Sequence, residues 1–431
     1  MANNMVASLK NSWKIPDLRK KMLMTLLMLL IFRLGTHIPV PGLSAAALAQ
    51  LAQGGNSLFG YLNIISGGAF SNASIFAMSI SPYITASIII QLLTIAIPKL
   101  EQLSKEGEEG QKKIAQWTRY GAVILGFIQA TAMYFSIRGA VINKGAMSYF
   151  TIVLTFTAGT AFLMWLGEQI TEYGIGNGIS LIIFTGIISR GPMTVNILIE
   201  YLRAGMLGEG VIGYIVLLLI VLIMLVMIAL VVYVQEAERR IPVQYAKRVV
   251  GRKMYGGQST HIPIKVNSAG VMPIIFAMSI ATFPPTIINL IWGGKETGAF
   301  LSYLKNMNEK PWFTVVYALL VMFFTFFYTM IAFNPVELAN NIKKNGGFVP
   351  GIRPGKPTAD FITKVVNRVT WFGAFFLALI TVFPSLLQMF TKISNIWLGG
   401  TSLLIMVNVA LETVKQIESQ LTMRHYKGFL D

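Results

Sequence analysis

Residues 73–97 read ASIFAMSISPYITASIIIQLLTIAI. The stretch holds no charged side chain and exceeds the roughly 20 helical residues needed to cross a hydrocarbon core of about 30 Å. Pro82 sits inside it, where a helix loses a hydrogen bond and tends to kink. Its segment IFAMSI, residues 75–80, recurs letter for letter at residues 275–280, again inside an uncharged, Pro-interrupted apolar run, residues 269–292. Broken apolar segments in matching positions of two halves point to a functional centre lying between inverted repeats.

The rest of the chain extends that pattern. Of 431 residues, 54% are hydrophobic and 12% charged, which marks an all-α, polytopic membrane protein. A β-barrel is excluded, because its strands alternate and do not yield uncharged runs of this length. With no cysteine there is neither a disulfide framework nor a thiolate nucleophile. His37, His261 and His425 are widely separated, so no metal site is expected, and no cofactor.

Ten spans are expected, at residues 22–40, 73–97, 120–137, 149–166, 179–199, 211–234, 269–292, 312–333, 369–390 and about 396–414. The fifth is the weakest, broken by Arg190-Gly191-Pro192. Most of the 35 lysines and arginines then fall on the side of the two termini, which the positive-inside rule makes cytoplasmic. Two loops, 235–267 and 334–368, carry seven and six cations, more than orientation requires, mixed with Gly, Pro and aromatic residues as on a docking surface. Arg33, in the far half of the first span, is expected to snorkel to the outer interface. Residues 41–72 carry no Lys or Arg and contain the short apolar piece FGYLNII ended by Gly67-Gly68, an external loop or a half-helix dipping back into the membrane.

Catalytic patterns are missing. TEYGIGNGIS, residues 171–180, lacks the preceding strand and following Lys of a phosphate loop and reads as a tight turn. Spans two, three and six to nine hold no ionisable residue at mid-depth, where an ion-coupled transporter places its coupling site. Gln91, Gln129, Thr94, Asn289 and Asn408 are uncharged polar groups suited to interhelical hydrogen bonds. An inverted-repeat transporter for a small solute and a membrane-embedded enzyme are therefore the weaker readings.

Five motifs together resemble the SecY family of protein-translocase channel subunits: SGGAFSNASIFAMSISPYITASIIIQLL from Ser66, FLMWLGEQITEYGIGNGIS from Phe162, ERRIPVQYAKR from Glu238 with QSTHIPIKVNSAGVMPIIFA from Gln258, GGFVPGIRPGKPT from Gly346, and GGTSLLI from Gly399. The resemblance spans essentially the whole chain. It implies a protein-conducting channel of two pseudo-symmetric, inverted five-helix halves, residues 1–205 and 206–431, with a re-entrant plug helix at about residues 61–72. It places an apolar pore ring at Ile80, Ile84, Ile183, Ile275 and Ile405, with a sixth member on the seventh span at Ile280 or Thr282. The plug includes Tyr61, Leu62, Ile64, Ile65, Gly67 and Gly68. Spans two and seven are expected to face each other as a lateral gate, with Gln91, Gln129, Ile75 and Ile280 along it. Arg248, Arg252 and Arg353 are expected to meet the ribosome and the SecA motor ATPase. SecE and SecG subunits, signal sequences, nascent chains and the lipid bilayer complete the implied partners, in a bacterial cytoplasmic membrane. No catalytic role is implied.

Overall fold

The computed structural model describes residues 12–52, 58–205, 210–245, 248–250, 253–255, 259–292, 303–304, 307, 310–391 and 400–427. The first helices are α1 (Pro16–Gly35), α2 (Ala45–Ala52) and α3 (Leu58–Ile65), then α4 (Ser81–Ala96) and α5 (Pro98–Lys105). Next come α6 (Glu108–Ser136), α7 (Ala146–Tyr173), α8 (Gly178–Ser189), α9 (Gly191–Arg203) and α10 (Val211–Glu236). After a strand region follow α11 (Met272–Trp292), α12 (Pro311–Ala332), α13 (Pro335–Lys344), α14 (Lys356–Thr391) and α15 (Gly400–Lys427).

Among the described residues, α7, the joined α8–α9, α10, α12 and much of α14 are long and apolar enough to cross a membrane. The α4–α5 pair makes a sixth crossing, bent by 102° at Ile97-Pro98. The other four expected spans are carried by α1, α6, α11 and α15, each with charged turns or a proline break inside it. Helix α10 leaves most of its surface outside the protein core, as expected of a lipid-facing helix. The tenth span was expected from about residue 396. Residues 392–399 lie outside the described residues, and α15 begins at Gly400.

Two expectations change. Residues 73–97 were read as one kinked helix, but only Ser81–Ala96 is helical. Residues 66–80 run instead as successive turns, with Ala73 and Ser79 in the left-handed region at φ 51° and 53°. IFAMSI is therefore irregular at residues 75–80 and helical at 275–280. Neighbours rather than local propensity choose the conformation. The first copy is pinned by the chain leaving α1: Val40 N donates to Ala73 O at 2.8 Å and Ile75 N to Ile38 O at 3.1 Å.

The two basic loops also join into one body. Strands β1 (Glu238–Tyr245), β2 (Arg248–Val250), β3 (Lys253–Tyr255) and β4 (Ser259–Lys265) come from the first loop, and β5 (Gly347–Phe348) from the second. One sheet has the order β4-β1-β5 and the other pairs β2 with β3. In the β1–β4 ladder Glu238 faces Lys265 and Gln244 faces Ser259. Strand β5 pairs only with Gln244 and Tyr245, so Pro242, which has no N–H to give, stays on a free edge of β1 on that side. Beneath the sheet Ile241, Val243 and Ile264 pack on Ile342 of α13, on Val349, and on Ile362 and Val366 of α14. The second loop thus has an apolar face and buries it, contrary to its polar appearance in sequence.

Candidate pore and plug

Four helices bring the expected ring isoleucines together. Ile80 precedes the first turn of α4. Pro82 falls in that turn, where a missing N–H has no intrahelical partner to lose. Ile84 N donates to Ile80 O at 3.1 Å, so the two side chains stack one turn apart on one face. On α8, started by Asn177 Oδ1 accepting from Ser180 N at 3.2 Å, Ile183 is buried. Ile275 enters from the first turn of α11, and Ile405 is buried on α15. All five share one apolar cluster that draws on both halves of the chain, with Ile80, Ile183 and Ile405 at its buried centre and Ile84 and Ile275 against it.

Of the two expected sixth members, one can be placed. Ile280 is 42% exposed and stands outside the cluster, while the side chain of Thr282 lies outside the described residues. Ile187, one turn beyond Ile183 on the same face of α8, is 1% exposed and belongs to the cluster.

The expected plug is α3 plus a folded turn. Asn63 organises the turn: its carbonyl accepts from Gly68 N at 2.9 Å and its side-chain Oδ1 from Ser71 N at 3.1 Å. Ser66 Oγ accepts from Phe70 N at 3.3 Å, and Phe59 stacks on Phe70 with ring centres 5.2 Å apart. Gly67 and Gly68 have φ of 66° and 90°, where a side chain is strained. A Cβ on Gly67 would also stand 2.8 Å from Gly186 Cα of α8. Leu62 is half-buried; the side chains of Tyr61, Ile64 and Ile65, all within α3, lie outside the described residues. Helix α3 packs on α2 and on α8, the helix that carries Ile183.

Arg33 is half-buried and bonded within the protein. Its Nη1 donates to Gly67 O at 3.0 Å, to Ser189 Oγ at 3.2 Å and to Thr36 Oγ1 at 3.5 Å. Gly67 and Ser189 lie 34 and 156 positions away, so nothing local in α1 announced those two contacts.

At the expected gate, Gln91 on α4 and Gln129 on α6 are both half-buried, as is Ile75. Helix α11 meets the first half of the chain mainly through α6, and α4 also packs on α6. A seam therefore runs between α6 and α11, with a second contact between α8 and α15. Arg119 on α6 pairs with Glu168 on α7 at 2.6 Å, outside that seam.

On the strand body, Arg353 is exposed in a tight tip between Gly351 and Gly355, at φ 80° and 100°. Thr358 Oγ1 donates to the Arg353 carbonyl at 2.8 Å and holds the tip in shape. Arg248 opens β2, and Arg252 lies outside the described residues. Among the described residues no cluster of His, Asp and Glu has the makings of a metal site.

The SecY family model matches residues 74–414. A relative from Halalkalibacterium halodurans, the protein translocase subunit SecY, is 49% identical over 433 residues, covering 99% of this chain and 100% of its own. Two solved structures share the fold. One, described as showing that the plug domain of the SecY protein stabilises the closed state of the translocation channel and maintains a membrane seal, has a TM-score of 0.63 at 18% identity. It covers 93% of this chain and 92% of its own. The other, Sec61 in the canine ribosome-channel complex from the endoplasmic reticulum, has a TM-score of 0.62 at 19% identity over 93% and 92% of the two chains. By the motifs that run along its whole length, the family model and a relative of nearly half-identical sequence, the chain belongs to the SecY family.

Proposed function

We propose that this chain is the pore of a protein translocase, passing unfolded polypeptides across the membrane and releasing apolar segments sideways into lipid. The observation that carries it is the convergence of Ile80, Ile84, Ile183, Ile275 and Ile405, from both halves, in one apolar cluster whose α8 also receives the re-entrant α3 segment. A narrow apolar constriction holds back ions because an ion cannot keep its hydration shell there. Irregular backbone at residues 66–80 is tolerated at membrane depth because it is buried in protein. The two halves are residues 1–205 and 206–431, and the seam between them, lined in part by Gln91, Gln129, Ile75 and Ile280, is the lateral exit.

The setting is a bacterial cytoplasmic membrane with both termini inside, which the loop charges support. The basic strand body suits ribosomal RNA phosphates and an acidic surface on a SecA-type motor. SecE- and SecG-type subunits cover lipid-facing helices. Chemical work is left to the motor or the ribosome, as the absence of a catalytic pattern in the sequence suggests.

Reconstitution tests the reading. Vesicles holding this chain with its copurifying subunits, motor and ATP are expected to import a signal-bearing unfolded polypeptide into a protease-protected space. Import that survives deletion of the signal and replacement of this chain by an unrelated membrane protein refutes the reading.

Sidedness has its own test. Thr260 and Asn345 are exposed on the strand body, and the chain has no native cysteine. Single Thr260→Cys and Asn345→Cys variants are expected to react with a membrane-impermeant maleimide only after the cells are permeabilised. Labelling in intact cells reverses the assigned orientation.

A further inference from the structure

We infer that Arg33 is the latch of the plug, a positioning residue that holds the Gly67 hinge against α8 in the closed channel; this rests on the channel reading above. The segment after α3 is fixed at one end, where residues 38–40 pair with residues 73–75. Between that anchor and α3 stand Gly67 and Gly68, both in the left-handed region, as a hinge requires. Arg33 Nη1 reaches the hinge carbonyl, Gly67 O, at 3.0 Å, and Ser189 Oγ of α8 at 3.2 Å. Ser189 Oγ itself lies 3.4 Å from Gly67 O. One guanidinium therefore ties three elements: α1, the hinge and the helix that carries Ile183. Asn72 Nδ2, donating to Thr36 O at 3.4 Å, adds a weaker tie between the hinge and α1.

The chemistry makes this contact specific to the closed state. Arg33 forms no ion pair among the described residues, so its charge is satisfied by oxygens alone. A charge inside a membrane span without a carboxylate is costly unless such donors and acceptors are matched. When the hinge swings away, Gly67 O leaves while Thr36 and Ser189 stay with Arg33. Of the contacts Arg33 makes, the bond to Gly67 O is the one that distinguishes the two states, and such a differential contact shifts their balance.

Losing a hydrogen bond to a charged donor shifts a two-state balance by roughly tenfold to a hundredfold. Arg33→Met removes the donor and keeps an unbranched apolar side chain, so its resting ion conductance in planar bilayers, measured on the purified complex, is expected to rise by that order. Arg33→Lys retains a charged donor and is expected to fall between. Ser189→Ala is expected to leak less than Arg33→Met. Deleting residues 61–72 removes the acceptor, and adding Arg33→Met to that deletion is expected to raise conductance no further. A folded Arg33→Met complex as tight as the parent overturns the latch, and so does a leak that multiplies in full with that of the deletion. If Arg33→Met does not assemble, Arg33→Gln, which keeps a polar but uncharged side chain, takes its place, and a tight Arg33→Gln complex overturns the latch. Polypeptide import by the parent, measured alongside, separates failure of the latch from failure of the channel reading: a parent that imports while Arg33→Met stays tight refutes the latch alone.

Discussion

Combining Ile84→Gly with Ile183→Gly is expected to raise the resting ion conductance of the channel at least about tenfold, equivalent to about 1.4 kcal/mol removed from the preference for the closed state. The two residues stand on α4 and α8 and belong to the same apolar cluster, so the double change thins the proposed ring from two different helices. Each Ile→Gly deletes apolar volume that neighbouring helices, fixed by their own packing, fill only in part. Water then enters the gap, and with water come ions. Deleting residues 61–72 as well is expected to increase the leak further, because α3 then no longer packs on α8. The same loosening lowers the hydrophobicity that a signal sequence must supply to part the halves, so weak signals should be exported more efficiently. Planar-bilayer conductance and export of a graded signal series measure the two effects. A double variant that folds and stays as tight as the parent moves the seal away from these residues.

Arg353→Glu is expected to lower the affinity for the motor or the ribosome by roughly tenfold or more while leaving folding and insertion unchanged. Arg353 is exposed on a tip whose shape is set by Gly351, Gly355 and the Thr358 hydrogen bond to its carbonyl, none of which involves the guanidinium. Reversing its charge adds like-charge repulsion against an acidic or phosphate surface as well as removing a contact. If RNA phosphates are the partner, the slope of log affinity against log salt should flatten by about one or more. If the motor is the partner, the loss should appear in motor-driven import and in the stimulated ATPase rate, not in ribosome binding. Wild-type import together with wild-type affinity for both partners removes Arg353 from the docking surface.

Much of the architecture was legible because membrane spans leave a coarse signature: long uncharged runs and a bias of Lys and Arg to one side. The broken nature of spans two and five was visible in Pro82 and in Arg190-Gly191-Pro192. What stayed hidden depended on contacts between distant residues. That residues 75–80 are irregular while the same six letters are helical at 275–280 follows from pairing with residues 38–40, which no local pattern reports. The contacts of Arg33 stayed hidden because two of its acceptors, Gly67 and Ser189, are 34 and 156 positions away. The strands were missed because seven cations in residues 235–267 masked the alternation of Ile241, Val243 and Ile264.

The strand body has a mechanical consequence. Strand β1 leaves α10 after a single residue, Ala237, and β4 runs on toward α11, with Val266 N donating to Ala237 O at 2.9 Å to extend the ladder down to the neck. Strand β5 couples the Arg353 loop to the far end of that ribbon, and the shared core binds it to α13 and α14. The ribbon is thus a stalk rooted on two spans at once, joined to α10 by one residue and to α11 by the turn 266–271. A push delivered to its tip arrives as a torque on α10 and α11 together, and α11 is the helix that borders the seam with α6.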